Sequence, residues 1–439
     1  MRFVNKENVS LLVDLYELTM ADAYFREGKN GIAVFDLFAR SLPKNRGFLV
    51  ACGIYDALSY IEGLRFGKEE IAYLRESGKF SNGFLGYLEN FRFSGEVSAV
   101  PEGTCVFEKE PLIRISAPLV QAQILESFLL NCVSFQTMIA TKAARVCMAA
   151  KEKPVCDFGL RRAQGMDAGL KASRASYIGG CAGTSNVLAG KEYRIPIMGT
   201  VAHSFILAYE SEMDAFRAIA RNYGSGCVFL IDTYDTIRGA VNAVKVAREM
   251  EKEGKKLGAV RIDSGNLAKL SRKVRGIFDE EGLKYVKIIA SGGLDEYEVE
   301  KLAWAIAPID SFGVGTAMDV SADAPCLDMN YKLCEYEGKG RRKMSAGKTT
   351  LPGKKQIFRL EEGGAYVRDV IGMEGEGIGG RKLLVQMMRE GRITWKIPGI
   401  EEIRKMCKEE IGKLPVEVRK IKNPSKYPVD LSEGLLAQV

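Results

Sequence analysis

The chain has 439 residues, enough at about 150 per domain for two or three domains with sizeable cores. With 46% hydrophobic and 27% charged residues it reads as a folded globular chain, not a disordered one. Its 63 Lys and Arg against 56 Asp and Glu leave +7, too little and too dispersed for whole-chain nucleic-acid binding, yet compatible with a local site for a phosphorylated small molecule.

No stretch approaches ~18 uninterrupted apolar residues, so no membrane-spanning helix is predicted. Lys6, Glu7 and Asp14 among the first residues predict no signal peptide. Ten cysteines are scattered without a C-x-x-C pair, which predicts reduced thiols and a cytoplasmic protein. His203 is the only histidine, and no metal held by protein side chains is expected.

In chain order, residues 5–30 have helical spacing in Leu11, Leu12, Leu15, Leu18 and Met20, with Gly28 and Gly31 ending the helix. Residues 32–40, 95–100 and 106–115 read as strands. Leu119 to Met138 reads as a buried helix with polar contacts. The first 125 residues thus predict an N-terminal domain of mixed helices and strands.

From about 150, short apolar runs end in small or acidic residues at 157, 179, 199, 232, 263, 291 and 313. Successive ends are 20 to 33 residues apart, the length of strand–helix units. Near-continuous apolar character suits parallel strands covered on both faces. Segments 236–252 and 295–306 have helical periodicity between them. An open doubly wound sheet and a closed barrel both accommodate this rhythm. Polar residues at every strand end, instead of one crevice, favour a barrel over 126–335. Beyond it, 336–439 carries a basic run from Arg341 to Lys355, strands over 356–398, a surface helix over 400–421 and an extended tail from Lys422.

Catalytic groups collect at the C-terminal strand ends of such barrels. Those ends bear Asp157 with Arg161, Thr200 with His203, Asp232 with Asp235, Arg261 with Asp263, and two glycine turns. Ser291-Gly292-Gly293 and Gly313-Val314-Gly315-Thr316 let backbone N–H groups approach an anion, each ahead of a helix N-terminus; a ligand-free tight turn is the alternative for each. Asp232 and Asp263 suit ribose hydroxyls or a Mg²⁺-bound diphosphate, or else cap the helices that follow. Arg261 shares a strand face with Asp263 and needs an anion or acid as partner. His203 suits acid–base work or phosphate acceptance, or else a structural hydrogen bond. The basic run 341–355 is either a solvated loop or a cover for an anionic ligand.

Several ordered blocks then resemble one family. They are Val13 to Met20 (V-D-L-Y-E-L-T-M), 34–40, 140–145, Asp157 to Gly165 (D-F-G-L-R-R-A-Q-G), 182–186, Gly199 to Ser204 (G-T-V-A-H-S), Asp232 to Asp235, Arg261 to Gly265 and Leu351 to Gln356. Together they resemble nicotinate phosphoribosyltransferases, type II phosphoribosyltransferases of NAD biosynthesis. The resemblance implies an α/β fold, an irregular TIM-like barrel with an α/β sandwich built from N- and C-terminal segments. It implies condensation of nicotinate with 5-phosphoribosyl 1-diphosphate to nicotinate mononucleotide and diphosphate, with ATP as co-substrate, Mg²⁺ on the diphosphate, and a homodimer or larger homo-oligomer with shared sites. It assigns Tyr16, Arg161, Thr200 and Arg261 to nicotinate, with Tyr16 from a partner subunit. It assigns His203 to transient phosphorylation, places Asp232 and Asp263 among the catalytic groups, and gives Ser291, Gly292, Gly293, Gly313, Gly315 and Thr316 to the phosphoribosyl phosphate. Asn266 and the glycine pair depart from the Asp and Ser-Asn-Asn of many members. A decarboxylating quinolinate phosphoribosyltransferase, a nicotinamide-specific enzyme and a non-catalytic nucleotide-binding barrel are the alternatives.

Overall fold

The computed structural model describes residues 4–345 and 349–439, so residues 346–348 of the basic run lie outside the described part. The chain forms two units, one from 1–141 with 326–439 and one from 142–325. The sequence set the boundaries at 125/126 and 335/336. Both ends of the insert differ for a local reason. The strand Met329–Tyr336 pairs antiparallel with Ile32–Ala39 and so belongs to the first unit, and the other division, at 141/142, falls inside the helix Glu126–Ala149, whose first part belongs to the first unit.

In the first unit a seven-stranded sheet places Ile32–Ala39 between Met329–Tyr336 and Pro111–Pro118. All but the first residue of that central strand are buried, as its apolar and aromatic run requires. Its one charged residue, Asp36, is 1% exposed and meets Lys355 Nζ at 2.9 Å. Lys355 also donates to the carbonyls of Leu351 and Gly353 at 2.8 Å, so neither buried charge is unpaired. A four-stranded sheet holds Arg359 in its core, bonded to Asp369 at 2.6 Å and Glu410 at 3.0 Å.

Four expectations shift here. The first helix spans only Leu15–Arg26, because Asp14 is drawn into extended backbone by hydrogen bonds with Ser127. The 106–115 strand splits into Cys105–Val106 and Pro111–Pro118, since Lys109 turns at φ 67° and Glu110 accepts the Phe107 N–H. The C-terminal helix ends at Lys413, before the Leu414-Pro415 pair that disfavours helical backbone. The tail is not loose: Val429–Leu431 adds a parallel strand beside Ala365–Met373, and Leu435 is fully buried.

The second unit is a parallel six-stranded sheet with helices packed on it. Its order is Gly183–Thr184, Val155–Asp157, Ser311–Val314, Lys287–Ala290, Ala259–Ile262, Val228–Leu230. The helix Thr236–Lys252 buries Ala240, Ala243, Val244 and Ala247, one face at i, i+3, i+4 and i+7. That face joins a core with Phe229, Val260, Ile262, Phe278 and Ile288. Phe216 stacks on Phe229 at 4.7 Å between centroids, which fixes the helix Glu212–Tyr223 beside the edge strand.

Two predicted strands are absent. Residues 177–180 end the helix Met166–Ile178, and the strand lies a few residues on, at Gly183–Thr184. Residues 195–200 contribute a single parallel bridge, Thr184 to Ile197, because Pro196 lacks a donor N–H and the rest of the run is mostly exposed. Among the described residues the hydrogen-bonded ladder is therefore open, not closed.

Candidate active site

The registers Leu230–Arg261, Arg261–Ile289, Ile289–Ser311 and Val314–Asp157 bring the C-terminal strand ends of the second unit level. Polar residues that follow each strand therefore converge although up to about 150 residues separate them in sequence. Asp232 and Asp263 are joined directly. One oxygen of Asp232 accepts the Asp263 N–H at 2.8 Å and the Ser264 hydroxyl at 2.7 Å. Its other oxygen, Oδ1, is buried without a partner among the described residues. Asp263 in turn accepts the Ser291 hydroxyl. Neither acid caps a helix; the caps are Asp235, which accepts the Arg238 N–H at 2.7 Å, and Asn266, which accepts the Lys269 N–H at 3.0 Å. Asp235→Ala is therefore expected to cost about 1 kcal/mol of stability, read by urea unfolding, and to leave turnover within about twofold.

Arg261 has a side chain only 13% exposed. Its Nη1 donates to Thr200 Oγ1, its Nη2 lies 3.6 Å from Asp263, and its Nε is buried with no partner among the described residues. Burial pulls its pKa below the ordinary guanidinium value, against the opposing charges of Asp263 and Asp232, while Arg161 pushes the same way as burial. Arg161 thus stands near enough to be felt, exposed on the turn Leu160–Arg162. A donor left over on a buried cation, with a second cation beside it, is an unsatisfied demand for an anion.

His203 opens the helix His203–Leu207. Nδ1 meets Thr233 Oγ1 at 3.0 Å, and Nε2 stands 4.0 Å from Asp263. The imidazole is 39% exposed, so Nε2 is fixed in direction and open to a ligand.

The glycine turns divide by role. Gly292 has φ 90°, and a Cβ there would lie 1.7 Å from the Asp263 carbonyl oxygen; only glycine lets the two turns touch. Gly293, at φ 64°, faces open space. Gly313 sits inside its strand, where a Cβ would meet the Phe158 ring at 2.4 Å, so it is a packing glycine and not part of an open cradle. Gly315 passes under the Phe158 carbonyl, and Thr316 is exposed beyond it. The helix after Gly293 does not offer free N-terminal amides: the Asp295 carboxylate accepts those of Tyr297 and Glu298 at 2.9 Å each. Gly293 and Thr316 are left as the open positions of the two turns, with Gly315 close under the Phe158 carbonyl and Ser291 buried against Asp263.

Asp157 is fully buried; it accepts the Gly159 N–H at 2.8 Å and the Thr184 hydroxyl at 2.7 Å, fixing the turn that carries Arg161. Tyr16 belongs to the first unit, on the helix Leu15–Arg26, with 45% exposure. The site residues that sequence reasoning did not single out are Phe158, Thr233 and Ser264. Each is adjacent to one that it did, and in a strand-end turn the neighbour of a polar residue lines the same mouth. A cavity of about 540 Å³ in the first unit, lined in part by Lys44, Arg46, Lys109 and Lys426, holds none of these residues.

Among the described residues no group of three or more His, Cys, Asp or Glu side chains is placed to hold a metal. The unpartnered Asp232 Oδ1 beside Asp263 nevertheless fits a hard cation that brings its own phosphate oxygens.

Three family models match in sequence order. They are the nicotinate phosphoribosyltransferase N-terminal domain over 11–134, the nicotinate phosphoribosyltransferase family over 154–348, and the C-terminal domain over 378–438. The chain is 45% identical over 432 residues to a nicotinate phosphoribosyltransferase of Mycobacterium tuberculosis, covering 98% of this chain and 93% of the relative. It is 37% identical over 460 residues to that of Bacillus subtilis, covering 97% and 94%. Among solved structures, human nicotinic acid phosphoribosyltransferase superposes with TM-score 0.87 at 29% identity, over 97% of this chain and 98% of that one. A nicotinate-nucleotide pyrophosphorylase from Pyrococcus furiosus does so with TM-score 0.78 at 26% identity, over 94% and 98%.

Proposed function

Because the chain belongs to the nicotinate phosphoribosyltransferase family and is an enzyme of NAD salvage, we propose that the strand ends of its second unit join nicotinate to 5-phosphoribosyl 1-diphosphate. The observation that carries this assignment is Arg261, a buried guanidinium with an unpartnered Nε beside Thr200. A planar aromatic carboxylate supplies the anion that site lacks, and Arg161 adds a second cation at the mouth. The pyridine nitrogen lone pair then forms a bond to ribose C1, and the C1–oxygen bond breaks with its electron pair leaving on diphosphate. The nitrogen is nucleophilic without deprotonation, so no general base is required. The work left to the protein is alignment and stabilisation of charge on the leaving group.

Gly293, Gly315 and Thr316 hold the 5-phosphate in this reading, while Asp232 and Asp263 face the ribose hydroxyls and the diphosphate. Asp232 Oδ1 and Asp263 are the protein groups that would hold a Mg²⁺ brought in with the diphosphate, and such an ion would supply charge neutralisation for the leaving group. His203 is the phosphate acceptor from ATP: Thr233 holds Nδ1, leaving Nε2 to attack the γ-phosphorus and displace ADP. The six parallel strands form the wall of an irregular barrel, and the first unit an α/β sandwich drawn from both ends of the chain. Leu12, Leu15 and Tyr16 are exposed together, which supports a homodimer in which Tyr16 stacks on the pyridine of a second copy's site. Ten free cysteines, seven of them buried, support a cytoplasmic setting. No helix among the described residues is long and apolar enough to cross a membrane.

The test is diphosphate release with Mg²⁺ and 5-phosphoribosyl 1-diphosphate, given nicotinate, quinolinate or nicotinamide in turn, with and without ATP. Turnover of nicotinate, stimulated by ATP, is expected. Turnover of quinolinate alone would reassign the substrate, and binding without turnover would leave a sensor.

A further inference from the structure

Behind the turn that carries Arg161 lies a second buried acid. Asp319 is fully buried, at the end of the short helix Thr316–Asp319. A Cβ placed on Gly159 would lie 2.1 Å from its carboxyl carbon, so the glycine lets that carboxyl approach the Asp157 turn. Asp157 already uses one oxygen for the Gly159 N–H and the other for the Thr184 hydroxyl. No donor among the described residues reaches either Asp319 oxygen. The turn Leu160–Arg162 and the helix Met166–Ile178 pack on Thr316–Asp319 and carry Arg161, Arg162, Asp167, Lys171 and Arg174, none of which supplies that donor. The thiols nearby are Cys156, pushed up to about 11 by burial first and Asp157 second, and Cys181, raised by its contact with Cys147.

Two buried carboxyls side by side without a cation hold one proton between them. We propose that Asp319 is a positioning residue: it remains a carboxylic acid at neutral pH, donates its proton to Asp157, and so ties the Thr316 turn to the turn bearing Arg161. This deepens the functional reading above and rests on it, since those two turns are the ones assigned to the phosphate and the carboxylate. Burial, then the charge of Asp157 and the hydrogen bond to it, hold the Asp319 carboxyl well above the ordinary carboxylate range.

The sign follows. The unfolded chain releases this proton near pH 4 and the folded chain keeps it, so the contribution is complete below that pH and declines as pH rises until the folded group ionises. Asp319→Asn keeps a neutral donor in place and removes the titration. In urea unfolding of the ligand-free full chain between about pH 5 and 8, the folding constant of the wild type should fall relative to D319N by up to about tenfold per pH unit. Parallel curves would overturn the shared proton. Calorimetry with 5-phosphoribosyl 1-diphosphate and Mg²⁺ reads the positioning role: D319N should bind within about twofold of wild type, and Asp319→Ala about tenfold more weakly. Equal binding by D319A overturns that role. A wild type that does not bind this compound at all overturns the functional reading, and the unfolding comparison still decides the shared proton.

Discussion

Arg261→Ala is expected to lower kcat/KM for nicotinate about a thousandfold, the loss that follows when one partner of a desolvated charge pair worth about 4 kcal/mol is removed. The guanidinium is enclosed by its own strand, by Thr200 and by Asp263, so water cannot stand in for it cheaply. Its removal also leaves Asp263 and Asp232 facing an incoming carboxylate with their charge unopposed. Arg261→Lys should recover only part of the loss, because an ammonium offers a point charge where the site presents a planar fork. The informative control is nicotinamide, which carries no carboxylate: any residual turnover of the amide should change little in Arg261→Ala. A nicotinate loss below about tenfold, or an equal loss with both bases, would remove Arg261 from the carboxylate site.

His203→Ala should abolish the response to ATP while sparing ATP-independent turnover. Coupling of this kind corresponds to about 1–3 kcal/mol, so the stimulated rate should fall on the order of tenfold or more and the basal rate within about threefold. The imidazole touches Thr233 and stands 4.0 Å from Asp263, but nothing in its surroundings supports a role in breaking the C1–oxygen bond, which needs no proton. Incubation with γ-labelled ATP should label the wild type and not the variant. Label retained in His203→Ala, or a basal rate that collapses with the stimulated one, would move His203 from phosphate acceptor to a part of the transfer step.

Much of the site was legible in the chain because strand ends in a strand–helix repeat must emerge on one side. The runs ending at 157, 232, 263, 291 and 313 fall at five of the six parallel strands. The sixth was misplaced for a physical reason. Tyr177 and Ile178 look like a strand end, but Ala172, Ala175 and Ile178 continue a buried helical face, and the strand that follows is too short to leave an apolar run. The run 195–200 failed in the opposite way: it is apolar enough for a strand, but Pro196 lacks the donor that pairing requires.

Gly313 and Gly292 have the sequence look of anion cradles, yet each is fixed by a neighbour, Phe158 in one case and the Asp263 carbonyl in the other. A glycine needed for close packing and one needed for a ligand look alike in sequence.

The chain by itself determined the ordered motifs, the strand–helix rhythm, the lone histidine and the acids and arginines at strand ends. These are local properties, set by spacing and side-chain type, and they were sufficient to place the chain in its family. Tertiary structure alone decided which of those ends touch. Asp232 reaches Asp263 and Ser264, and Asp263 reaches Ser291, because sheet order places those strands side by side. That order depends on which faces bury the most apolar surface when all the helices pack at once, a property of the whole sheet that no single segment carries.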